Sequence, residues 1–251
     1  METTTNYNLK PTFGNSFGTG WSVMMDNFLR LFLVVIIVAI ITGPPSVFQM
    51  NFNKGDMHGM PWNWDGWHGD MKGLFGMASL GMLAVLLGLM ALLYTCLVVP
   101  VFTFGSKMFF LEAVRKQKPN FEWLIRGFTK NYLNIILANL LVFALVAIGF
   151  FALIIPGIII ACRLAFVKFI VMDKNADPIE AVEMSWRMTR GHGWTIFFMG
   201  FVSFFIFLLG LLLMIVGVFP AIIWISSAFT SLYQSVVLEK EVPSEPEAVA
   251  A

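Results

Sequence analysis

The chain has 251 residues, 58% of them hydrophobic and only 12% charged, with a mean hydropathy of +0.80. Soluble domains carry about 25% charged residues, so this composition excludes an ordinary soluble domain and puts the chain in the membrane class. A formal net charge of +1 leaves no global basic field for nucleic acid, and two cysteines, Cys96 and Cys162, both in apolar runs, exclude a disulfide framework.

Residues 1–20 are polar and glycine-rich with no helix period, and read as a cytoplasmic N-terminal segment. The first predicted span is Trp21 to Phe48, densest from Leu31 to Ile41. It ends in Thr42-Gly43-Pro44-Pro45, which is not a small-residue cleavage site, so it reads as a retained anchor. Residues 49–73 form a loop rich in Met, His, Trp, Asp and Gly. The second span runs from about Leu74 to Phe104 with a kink expected at Pro100; within the cytoplasmic segment 105–130 that follows, the helix can continue past Gly105 as a stalk through Lys118 carrying Glu112, Arg115 and Lys116, before Asn120 caps a short amphipathic stretch, FEWLIRGFTK. The third span is about Tyr132 to Ile155, closed by a turn at Pro156-Gly157. The fourth, Ile158 to Met172, is short for a bilayer that asks for about 20 apolar residues, and it carries Arg163 and Lys168. A second amphipathic segment covers 173–193. The fifth span runs from Trp194 to Val216, a turn is expected at Phe219-Pro220, and the sixth reaches about Leu238. Residues 239–251 are acidic and proline-bearing and read as a disordered tail. Within the spans, Gly76, Gly81, Gly88, Gly200 and Gly210 suit close helix contact. The expected fold is all-α: a polytopic bundle of six transmembrane helices over residues 21–238, with interfacial amphipathic helices.

The stretch Asp177 to Phe197 has the fullest helix grammar in the chain. Asp177 is placed to cap it, Pro178 suits the first turn, and Glu180 stands where a capping box places its acid. Glu180, Glu183, Arg187 and Arg190 follow at steps of three, four and three and form one narrow polar stripe. A helix this apolar, with so thin a stripe, belongs at a membrane surface. Gly191 and Gly193 break it before the next span.

Orientation follows from lysine and arginine. They crowd into 105–130 and 173–193, whereas 49–73 holds only Lys54 and Lys72 and the two proline turns hold none. Both termini are therefore expected in the cytoplasm, with 49–73 outside the cell membrane. A partial internal repeat is also visible. Glu122 and Arg126 recur as Glu183 and Arg187 with their spacing kept, and each pair is followed by a span and a hairpin. Gly20-Trp21, Asn27-Phe28 and a span ending near Pro44 offer a worn third copy.

GTGWSVMMDNFLRLF near the start, then IIPGIII, then AVEMSWRMTRGHGW, resemble a broad group of bacterial polytopic membrane proteins to which no activity is assigned. The same pattern is similar to the membrane domain fused to some bacterial glycerophosphodiester phosphodiesterases. The resemblance covers most of residues 12–238 outside the Met/His loop. It implies a six-helix membrane domain and not an activity; the phosphodiesterase barrel, about 250 residues by itself, has no place among these spans.

Three residue groups carry candidate chemistry. In the 49–73 loop, Met57, His58, Met60, His68 and Met71 offer thioethers and imidazoles of the kind that bind Cu(I). The competing reading is an interfacial lid in which Trp62, Trp64 and Trp67 sit at headgroup depth. Arg187, Arg190 and His192 lie where lipid headgroups are expected, and a phosphate contact there is binding rather than catalysis. Ser185 and His192 have no orienting acid and make a poor hydrolase pair. Arg163, seven residues past Pro156, is deep for a charge, whereas Lys168 lies near enough to a span end to snorkel. No carboxylate sits in mid-span, which argues against a proton-driven carrier. The leading expectation is a non-enzymatic integral membrane protein without a cofactor, acting as a scaffold or as a module that contacts lipids or a membrane protein partner. A small-molecule or lipid transporter lined by the Arg163 helix is the alternative, and copper binding by the outer loop the third.

Overall fold

Backbone polar groups find no water in a bilayer core, so a chain this apolar must satisfy them within helices. The computed structural model describes residues 9–43, 71–117, 119–129 and 131–241, and their regular structure is α-helical throughout. The helices are α1 (Phe13–Asp26), α2 (Phe28–Thr42), α3 (Met71–Leu97), α4 (Val99–Val114), α5 (Trp123–Thr129), α6 (Tyr132–Ala152), α7 (Ile154–Arg163), α8 (Val167–Asp173), α9 (Pro178–Met188), α10 (Gly193–Leu212) and α11 (Met214–Glu241). Five stretches among the described residues are long and apolar enough to cross a membrane, and six when the bent pair α1–α2 counts as one. The chain is a multi-pass membrane helix bundle.

Three successive units share one plan. Each opens with a short helix (α1, α5, α9), breaks, sends out an apolar helix (α2, α6, α10) and returns by another path (α3–α4, α7–α8, α11). The three breaks have nearly the same backbone: φ −124° and ψ 22° at Asn27, −128° and 23° at Asn131, −107° and 7° at His192. Each short helix packs on the return helix of the preceding unit: α5 on α4, α9 on α8, and α1 on α11, so the first unit closes onto the last. These contacts are close. A β-carbon on Gly20 would lie 2.7 Å from the Ala228 nitrogen, and one on Gly105 would lie 2.5 Å from the Trp123 carbonyl oxygen.

The two complete hairpins are pinched by glycines at matching places. A β-carbon on Gly149 would stand 3.0 Å from the Gly157 Cα, and one on Gly210 would stand 2.8 Å from the Gly217 carbonyl oxygen. Small residues let helix backbones meet where lipid supplies no hydrophobic drive.

Several expectations need correction. Residues 13–20 are not an irregular tail but the first turns of α1. The first span is bent by 95° at Asn27, leaving α2 with 15 residues, roughly 22 Å of helix against a core of about 30 Å. The hairpins turn at Leu153, which is extended (φ −171°, ψ 156°), and at Leu213. Pro156 sits in the first turn of α7, where no helical hydrogen bond needs its missing N–H, and Pro220 lies inside α11. Starting at Ile154, the fourth crossing reaches 20 residues through α7 and α8, and its shortness disappears. Finally, the helical stalk expected past Gly105 is present, but it stops at Val114 and lies within the bundle rather than standing clear of it. Residues 105–114 are the end of α4, with Phe109 and Leu111 fully buried, and only residues beyond Val114 connect to α5.

The return helices α4, α8 and α11 form the inside of the bundle. Phe104, Phe166, Ile170, Leu232 and Tyr233 are fully buried among them, and Tyr233 stacks on Phe169 with ring centroids 4.8 Å apart. The outbound helices α6 and α10 instead expose Leu137, Leu140, Phe143, Phe201 and Phe204 to the lipid side.

Candidate functional site

The inner helices converge at the end of the bundle that carries the short helices. Glu112, Asp173 and Gln234 are evenly spaced along the chain and stand at the corresponding ends of α4, α8 and α11. Arg115 joins two of them. Its Nη1 and Nη2 donate to the two carboxylate oxygens of Asp173 at 2.6 and 2.8 Å, and its Nε donates to Gln234 Oε1 at 2.8 Å. Tyr233 also donates to Asp173, at 3.0 Å. The other acid of the series, Glu112, receives the Trp123 indole N–H and, at 2.9 Å, the Asn120 backbone N–H, and so clamps α5 onto α4. A bidentate guanidinium–carboxylate pair fixes geometry as well as charge. This cluster is structural in form, because every one of its strong groups is engaged within it.

Beside it lies a cleft of about 190 Å³ where α8, α9 and α11 end, lined by Lys174, Arg187 and Lys240 with Met184, Met188 and Val237. Lys240 Nζ donates to the Arg187 carbonyl oxygen at 2.7 Å, the expected pairing of a cation with the carbonyl end of a helix. Among the described residues no acid lines the cleft, and the neighbouring Glu239 is 3.2 Å from His192 Nε2. Three cations around a thioether-lined hollow suit a phosphate attached to an apolar group.

The predicted polar stripe of α9 does not act as one unit. Glu183 and Arg187 form no ion pair among the described residues. Glu183 faces α6, where Asp177, Glu180 and Glu183 border a groove of about 850 Å³ over Leu137, Leu140 and Leu141, and Arg187 faces α11. Asp177 heads the helix without a side-chain cap bond, and its carboxylate instead accepts the Asn134 amide at 3.2 Å. The buried seam of α9 is Ala181, Ser185 and Met188.

Of the predicted contact residues, Arg187 is thus brought together with Lys174 and Lys240, not with Arg190 and His192. Arg190 is exposed, and His192 is the break residue before α10 and is paired with Glu239. Ser185 Oγ donates to the Arg163 carbonyl oxygen at 2.7 Å, so it is not directed at His192. Arg163 closes α7 at the break before α8. Its guanidinium lies 5.8 Å from the Trp186 ring of α9, and its Nη1 is buried without a hydrogen-bond partner among the described residues. Lys168 does not snorkel outward: its Nζ lies 6.0 Å from the Phe104 ring of α4, inside the bundle. Met57, His58, Met60 and His68 lie outside the described residues. Met71 opens α3, but its side chain is outside them too.

Sequence reasoning misses Lys174 and Lys240 because they lie far apart along the chain and each reads as an ordinary helix-end charge. The signal that relates them is the repeat, which sends α8 and α11 to the same end. Comparison with family models, curated proteins and solved structures finds no match for this chain.

Proposed function

We propose that the chain is a non-enzymatic membrane scaffold of the cell membrane that holds anionic lipid headgroups at its cytoplasmic face. The observation that carries this reading is the cleft of Lys174, Arg187 and Lys240, three cations brought together from three helix ends. It opens at the bundle end that the lysine and arginine distribution assigns to the cytoplasm, where anionic lipids attract basic groups by about 1 kcal/mol each. The filled interior between α4, α8 and α11 favours a scaffold over a carrier, since fully buried Phe104, Phe166 and Tyr233 occupy the space a central path would need.

The test is native mass spectrometry of the full chain released from mild detergent into mixed lipid. Wild type should retain anionic lipid over phosphatidylcholine. The K174A/R187A/K240A variant should lose at least about tenfold of that preference, the loss expected from removing even one charge-assisted contact of about 1.5–3 kcal/mol. Equal retention overturns the lipid role. The orientation has its own test. A cysteine replacing exposed Arg190, in a chain lacking Cys96 and Cys162, should resist an impermeant thiol reagent on intact cells, and labelling from outside reverses the assignment.

A further inference from the structure

Lys107 and Lys168 are separated by the same stretch of chain that separates Glu112 from Asp173, so they are equivalent positions of the repeat. The bundle sets them against each other. Lys107 on α4 places its Nζ 5.9 Å from the ring of Phe169 on α8, and Lys168 on α8 places its Nζ 6.0 Å from the ring of Phe104 on α4. Both side chains are half-buried between helices that pack directly on one another. Neither ammonium has a hydrogen bond or an ion pair among the described residues. The acid on this face of α8, Asp173, is already held by Arg115 and Tyr233.

Two features decide how this pair is resolved. A cation over an aromatic face gains about 0.5–2 kcal/mol from the ring quadrupole, a gain that a neutral amine forgoes. Each ammonium has such a ring on the other helix, at the outer limit of the useful distance. Rings do not cancel charge, however, and two like charges sharing a low-dielectric interior repel strongly. An oxyanion between the two ammonium groups would offset that repulsion and accept hydrogen bonds from both helices at once.

We infer that Lys107 and Lys168 form a binding site for a phosphate-type oxyanion, bridged between α4 and α8 and separate from the Lys174 cleft. The ligand is either inorganic phosphate or the phosphodiester of a lipid headgroup, which share this chemistry.

The experiment is thermal unfolding of the detergent-purified full chain with inorganic phosphate, with chloride at matched ionic strength, and in nanodiscs of phosphatidylglycerol or phosphatidylcholine. Wild type, K107M, K168M, the double variant and K174A/R187A/K240A are compared. Phosphate should raise the melting temperature of wild type and of the cleft variant. Either single methionine variant should bind phosphate roughly tenfold more weakly or worse, because one side of the bridge is gone. The methionine variants should fold at least as well without phosphate, since like charge is removed. Stabilisation by inorganic phosphate identifies the free anion, and stabilisation by phosphatidylglycerol alone that the double variant abolishes identifies the headgroup. No response of wild type to either, an equal response to chloride, or a full response in the double variant overturns the site. Loss of the response in the cleft variant alone assigns the anion to the cleft and likewise overturns it.

Discussion

In the second and third units the outbound and return helices differ in a direction opposite to that of a soluble protein. Outbound α6 and α10 have mean hydropathies of 2.7 and 2.5, yet only 17% of each is buried. The return crossings through α7–α8 and along α11 have hydropathies of 2.2 and 1.5, and 39% and 67% of them are buried. The less apolar a helix is, the deeper it lies. In lipid the driving force that sends apolar surface inward is absent, so the most apolar helices serve as the lipid-facing wall. The helices bearing polar groups go inside, where those groups find partners. Thus α11 buries Ser227, Thr230, Ser231, Gln234 and Ser235, and α8 carries Asp173 to Arg115.

If the return helices hold the bundle together, the largest loss should come from their polar lock. Asp173→Ala leaves Arg115, 27% exposed, without its bidentate partner. Removing one member of such a pair costs about 3–5 kcal/mol when fully buried, and the lower end applies to this partly exposed arginine. The double change Arg115→Met with Asp173→Leu should recover most of the loss. By contrast Phe143→Ala, 70% exposed on α6, should move stability by no more than about 0.5 kcal/mol. Unfolding of each variant in one detergent measures the difference, and equal effects would erase the distinction between wall and core.

The next effect tests the hairpins. Gly210→Ala should cost about 1–3 kcal/mol, since the added carbon would press on the Gly217 carbonyl oxygen at 2.8 Å. Gly200→Ala, on the same helix with nothing within 4 Å, should be neutral or gain up to about 1 kcal/mol from helix propensity. If both are tolerated, the helices do not cross at Gly210 as closely as the backbone places them.

The sequence makes the all-helical membrane class and the approximate positions of the crossings readable, because hydropathy over about 20 residues reports the solvent directly. It also carries the repeat, through Glu122/Arg126 and Glu183/Arg187. What stays hidden is which residue turns a hairpin. Pro156 and Pro220 look like turn markers, but the break falls on Leu153 and Leu213, apolar residues with no turn signature. The inner role of residues 105–114 is hidden for a related reason: the helical stalk is readable, but Lys107 and Glu112 look like its exposed charges until α5 and α8 are in place to receive them. Gly210 is visible as a close-contact candidate, and so are Gly88 and Gly200, yet of these three only Gly210 meets another backbone. Of the candidate site, Arg187 is readable from its stripe, but Lys174 and Lys240 gain meaning only from three-dimensional closure.

The smallest expected effect concerns two buried hydroxyls, one in each layer. Ser203 on outbound α10 and Ser227 on return α11 are 8% and 0% exposed, and neither Oγ has a hydrogen-bond partner among the described residues. A buried hydroxyl without a partner bears a desolvation cost of about 1–3 kcal/mol, part of which alanine recovers, though it also leaves a small void. Ser203→Ala and Ser227→Ala should therefore be neutral or raise stability by up to about 1 kcal/mol. Thr230→Val is the counterpart, because Thr230 Oγ1 donates to the Ser226 carbonyl oxygen at 2.7 Å, and its loss should cost about 0.5–1.5 kcal/mol. A destabilisation above about 1 kcal/mol for Ser227→Ala alone would mean that its hydroxyl holds a water or a ligand inside the return layer. The interior between α4, α8 and α11 would then be wet at that level. That result would turn the comparison of wall and core into one of wall and lined path, and would favour transport over the scaffold reading.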